Sequence, residues 1–97
     1  MGLRGEYVYT STGHQRPVFL GDGGVARFAV EKRDGDDVRV EISHDPEDVV
    51  RKGKGLWLPF EGDMGGGLYG VTALRLVVGK LDAWVSLTVE RDTDDGA

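Results

Sequence analysis

The feature that most constrains this chain is a period-two alternation in residues 68–91, LYGVTALRLVVGKLDAWVSLTVER. Leu74, Leu76 and Val78 fall on one side, and Ala73, Arg75 and Val77 on the other. Further on, Ala83, Val85, Leu87 and Val89 share a side opposite Trp84, Ser86, Thr88 and Glu90. Successive side chains of a strand point to opposite faces, so this pattern predicts two strands, each with one buried face. A helix through the same residues would scatter Arg75, Lys80, Glu90 and Arg91 around every side. The intervening Gly79-Lys80-Leu81-Asp82 reads as a tight turn that makes the pair a hairpin.

The alternation recurs upstream. Ala26, Phe28 and Val30 oppose Arg27, Ala29 and Glu31; after Asp34-Gly35-Asp36-Asp37, Val38, Val40 and Ile42 oppose Arg39, Glu41 and Ser43. Asp-Gly is a turn signal, which predicts a second hairpin. Shorter β-prone segments are residues 6–10, an edge strand or pairing arm, and Pro17-Val18-Phe19-Leu20, where proline suits an edge. Gly21-Asp22-Gly23-Gly24 is a turn. Pro46 opens a single helical turn that Ser43 or Asp45 would cap. Residues 51–55 form a basic flexible loop, and residues 56–60 an apolar strand halted by Pro59. Residues 61–67, with four glycines, form a mobile connection, and residues 92–97 a disordered acidic tail.

Six or seven short strands with almost no helix predict one all-β domain, an antiparallel β-sandwich or jelly roll over residues 17–91, with residues 1–16 as an arm or edge segment. A flattened barrel is the alternative. The expected core is Phe28, Val30, Val38, Val40, Ile42, Trp57, Leu74, Leu76, Val78, Val85, Leu87 and Val89.

Composition narrows the function classes. There is no cysteine, which excludes disulfide scaffolds and thiolate metal sites. Seventeen acidic against twelve basic side chains give a net charge of −5, against a general affinity for nucleic acid. No apolar run is long enough for a signal peptide or a membrane-spanning helix.

Three constellations carry alternative chemistry. Asp34, Asp36 and Asp37 could supply oxygens to calcium, but they lack a full calcium-loop pattern and read as a solvated turn. His44 beside Asp45 is half of an acid–base pair without a nucleophile, and adjacent strand residues face apart, so no enzyme, cofactor or metal is expected. Tyr7, Tyr9, Trp57, Tyr69 and Trp84 would make a sugar-binding platform only if two or more lay coplanar at the surface. Arg51, Lys52 and Lys54 form a positive patch on an acidic chain. Trp84, placed opposite the apolar face, is expected at the surface or in an interface.

Several features taken together resemble small structural proteins of tailed bacteriophages. These are the Val-rich strand at residues 38–43, Asp45-Pro46, Gly55, Trp57, the Gly65-Gly66-Gly67 run, Ala73-Leu74-Arg75 and the final strand at residues 85–89. The likeness extends over residues 18–91 and departs at Lys80-Leu81-Asp82. It implies a non-enzymatic virion component: a capsid decoration (cement) protein on the shell exterior, assembled in the bacterial cytoplasm. Its partners would be the major capsid protein or other virion proteins, and further copies of itself, a trimer among the options. A head–tail connector or tail adaptor shares every one of these features. On this reading the candidate partner-binding residues are Tyr7, Tyr9, Phe19, Arg51, Lys52, Lys54, Tyr69 and Trp84. Residues 7–9 and 17–20 would serve for strand pairing between chains.

Overall fold

The alternating segments do form strands. A computed structural model describes residues 2–21 and 25–92. Its elements, in chain order, are β1 (Gly2–Tyr9), β2 (Gly13–His14), β3 (Val18–Phe19), β4 (Val25–Glu31), β5 (Asp37–Ser43), α1 (Glu47–Arg51), β6 (Leu58–Pro59), β7 (Gly65–Tyr69), β8 (Ala73–Lys80) and β9 (Val85–Asp92). One sheet has the order β1-β9-β4-β7. The other has the order β2-β8-β5-β6, with β3 also on β8. Every pairing is antiparallel.

The topology is that of a jelly roll. β2 and β3 act as one strand interrupted at Arg16-Pro17, since His14 pairs with Val77 and Val18 with Leu74 on the same β8. Pairing is then nested from the outside in: β1 with β9, β2/β3 with β8, β4 with β7, β5 with β6. Rolling this long ribbon brings β4 onto β9 and β5 onto β8, which closes two facing sheets.

The rolled ribbon corrects both expected hairpins. β4 and β5 lie in different sheets, and so do β8 and β9. Residues 32–36 and 81–84 are therefore corners between sheets. Alternation reports that each strand has a buried face but not which strand lies beside it. β8 runs on through Gly79 and Lys80, and Ala83 and Trp84 fall in the corner, exposed.

Between the sheets lie Val18, Leu20, Phe28, Val38, Val40, Leu68, Val71, Leu74, Leu76, Val78, Val85, Leu87 and Val89. Phe28 and Phe60 meet edge to face, 5.0 Å between centroids. Val30 and Ile42 pack at the margin. Trp57, expected in the core, is outside it, half-buried beneath the Arg75 guanidinium 4.3 Å from its ring. Its apolar neighbours Leu56 and Leu58 are exposed as well. The apolar run is thus an edge, where β6 pairs through Pro59 opposite Glu41. Pro59 lies within the strand, which an edge tolerates.

One further expectation changes. Part of the glycine-rich connection is β7, whose backbone pairs with β4 from Gly65↔Ala29 to Tyr69↔Val25. Glycine has no side chain to show alternation, so the strand leaves no pattern. Of the two options for the N-terminal segment, β1 takes the edge-strand one: it pairs along its whole length with β9 at the edge of its sheet. Of the turn expected at residues 21–24 all but Gly21 lies outside the described residues, and so does the tail expected at residues 92–97 except Asp92, which ends β9. No helix among the described residues is long and apolar enough to cross a membrane.

Candidate functional site

The site begins with a two-residue strand. Val18 faces the core, so Phe19 faces outward. Its partner on β8 is Ala73, fully buried although it shares that outer face, as is Val77 nearly so. The outer face of this sheet therefore carries a second layer. α1 supplies part of it: Val50 is buried apart from the main core. A Cβ at Gly55 would stand 2.8 Å from Val50, so only glycine lets the loop return this closely.

Pro46 caps α1 without a side-chain hydrogen bond. The expected caps are engaged elsewhere. The Asp45 carboxylate accepts the Leu56 N–H at 2.6 Å, and Ser43 Oγ accepts the Asp45 N–H at 3.3 Å. His44 Nδ1 donates to the Gly70 carbonyl at 2.9 Å. His44 and Asp45 thus bind separate backbone segments and make no pair with each other.

At the end of α1, Arg51 lies over the Phe19 ring at 4.1 Å and reaches Glu47 at 3.4 Å. Arg16, Pro17, Phe19, Val50 and Arg51 line a shallow groove of about 400 Å³. Lys52 and Lys54 follow, both exposed. The result is an apolar floor with a cationic rim, on a chain of net charge −5. Phe19 also lines a smaller cleft between the sheets with Arg4, Gly5, Tyr7 and Arg91, where Gly5 leaves a gap that the Tyr7 ring folds across.

The structure thus brings Phe19 and Arg51 together, with exposed Lys52 and Lys54 next in the chain, and places Tyr7 in the separate cleft between the sheets. Tyr9 is half-buried against the core, and burial together with the nearby Tyr7 pushes its phenol up to about 12. Tyr69 is 73% exposed on β7, at the far edge of its sheet. Trp84 sits in a corner under Arg33 at 5.8 Å. No two of the five rings weighed as a sugar platform stack on each other among the described residues.

The acidic turn has a structural use. Asp36 is buried, and its carboxylate accepts the Asp82 N–H at 2.8 Å and the Arg33 N–H at 3.0 Å. These donors hold its pKa below the usual value. Arg33 closes the clasp on Asp82 at 3.1 Å. The two corners are thereby tied side by side. Among the described residues, no three His, Asp or Glu side chains converge as a metal site. Sequence reasoning missed Arg16, Val50 and the Asp36 clasp; only the run of acids gave a signal, and that run reads equally as a solvated turn.

Compared with known proteins, the chain matches no family model, no curated protein and no solved structure.

Proposed function

We propose that this is a non-enzymatic virion protein, a capsid decoration protein that binds the major capsid protein and stabilises the shell. The observation that carries the reading is the Phe19–Arg51 groove: a cationic, aromatic-floored surface on an acidic jelly roll. Such a surface suits a protein partner that presents acidic side chains around an apolar contact. The jelly roll is compatible, since viral capsid domains use it, although fold alone does not assign function. The phage-like pattern in residues 18–91 supplies the choice of partner.

A decoration protein stabilises by binding the assembled lattice in preference to dispersed subunits, so lattice stability rises by mass action. The test is co-sedimentation with assembled shells and with free capsid subunits. Binding to shells, weakened by Arg51→Glu, is the expected result. Binding to free subunits alone, or density at the tail in a particle reconstruction, overturns it and favours the connector or tail adaptor.

A further inference from the structure

The four sheet edges are unequal. β2 and β3 have two residues each with Pro17 beside them, and β6 has two residues, one of them Pro59. β7 has five, three of them consecutive glycines, which are costly to order and bring no side chains to a pairing. β1 has eight, without proline or lysine, and its register with β9 runs unbroken from Gly2 to Tyr9. Proteins protect edges with short strands, prolines, bulges and charged side chains, and of these β1 has only the charges, Arg4 and Glu6.

β1 also carries a self-complementary pattern. Arg4 and Glu6 share the outer face and touch at 3.0 Å, with side chains about 60% and 68% exposed. Val8 on the same face is 65% exposed. Consider two copies of β1 paired antiparallel about a two-fold axis perpendicular to the sheet. That axis keeps every side chain on its own face, so it must pass through a residue position. Through Arg4 it sets arginine against arginine; through Glu6 it sets glutamate against glutamate. Through Gly5 it sets Arg4 opposite Glu6 of the second copy, twice, with residues 2–8 in the ladder. Within one chain the outer-face row already reads Arg27, Glu90, Arg4 across β4, β9 and β1. The second copy's Glu6 continues that alternation of sign.

We propose that the chain forms a two-fold dimer through antiparallel pairing of β1 with β1 of a second copy, centred on Gly5, which joins the two β1-β9-β4-β7 sheets into one sheet of eight strands. The pairing satisfies the outward backbone groups of β1, and opposite charges across strands fix its register. It needs only a second copy, and it stands or falls independently of any capsid partner.

Sedimentation equilibrium of the full chain and of two charge reversals tests it. The wild type is expected to be a dimer that dissociates on dilution through the micromolar range. Arg4→Glu alone and Glu6→Arg alone each set two like-charge pairs face to face, and each should weaken self-association by roughly tenfold or more. When the two variants are mixed, each cross-strand position again meets a charge of opposite sign: two acidic side chains on one strand face two basic ones on the other. The mixture should therefore form a heterodimer of near wild-type affinity. That rescue also certifies that both variants fold. A monomeric wild type throughout the range, single variants that dimerise as the wild type does, or a mixture that stays monomeric would each overturn the proposal.

Discussion

The two outer faces of the sandwich differ in what covers them. On the sheet of β2, β3, β8, β5 and β6, the outer face has a dressing of its own. Phe19 lies under Arg51, and Val50 is buried beside them. Arg75 bonds Glu41 at 2.7 Å and 2.8 Å through two of its nitrogens while stacking on Trp57. On the sheet of β1, β9, β4 and β7, the central outer positions are Ala29, Thr88, Gly65 and Gly67, with charged Arg27 and Glu90 beside them. Among the described residues, no helix lies over that second face. A jelly roll needs only its inner faces for a core, so dressing one outer face and leaving the other bare assigns the two surfaces different uses. The dressed face is chemically distinct. The bare face carries a shallow hollow lined by Arg27, Ala29, Thr88 and Glu90 and ends in the open β1 edge.

The largest effect expected from breaking this contrast comes from Val50→Ala. It removes the buried contact of α1 and should cost about 2 kcal/mol in urea unfolding, because the cavity is roofed by a short helix that cannot fully collapse. Next is Arg75→Ala, which strands half-buried Glu41 and uncovers Trp57; about 1–2 kcal/mol is expected. Arg75→Lys should recover only part of this, since lysine lacks the planar fork that stacks and bonds together. On the bare face, Thr88→Ala should stay within about 0.5 kcal/mol. A Thr88 variant as damaging as the Val50 variant would show that the bare face is packed after all.

Two pH effects test what ties the faces together. The depressed pKa of Asp36 means its contribution is present above the unfolded value of 3.8 and is lost as pH falls through the lower folded value. Asp36→Asn should therefore lower the neutral-pH Tm by a few degrees and flatten the acid limb of stability across that window, from 3.8 downwards. Tyr9 works in the opposite sense. Its folded pKa of about 12 stands above the ordinary value of 10.0, so its contribution is complete below 10.0 and is lost as pH rises towards 12. Tyr9→Phe should flatten that alkaline slope in a thermal-melt series, the smallest of these effects.

Alternation in β4, β5, β8 and β9 was legible because successive side chains in each strand obey it, and it assigned the inner residues Ala26, Phe28, Val38, Val40, Leu74, Leu76, Val78, Val85, Leu87 and Val89, whereas Ala83 of the same series falls in an exposed corner. Trp57 was misread because an apolar run looks alike in a core and at an edge. Val50 and Arg16 could not be picked out, since one buried valine in a five-residue helix has no period to show. The Phe19–Arg51 contact joins residues far apart in the chain, and neither carries a local signal of the other.

By itself, the sequence determined that this chain is all-β, which faces of its long alternating strands meet in the core, and where most of the breaks fall. Those properties follow from side-chain polarity at period two and from the backbone freedom of glycine, both local. Tertiary structure alone decided that successive strands cross between sheets, that the glycine run is an edge strand, that Asp36 ties two corners and that Arg51 covers Phe19. Each of these depends on which segments meet after the ribbon rolls up, and that is settled by the summed burial of all the strands together, a quantity no single segment carries.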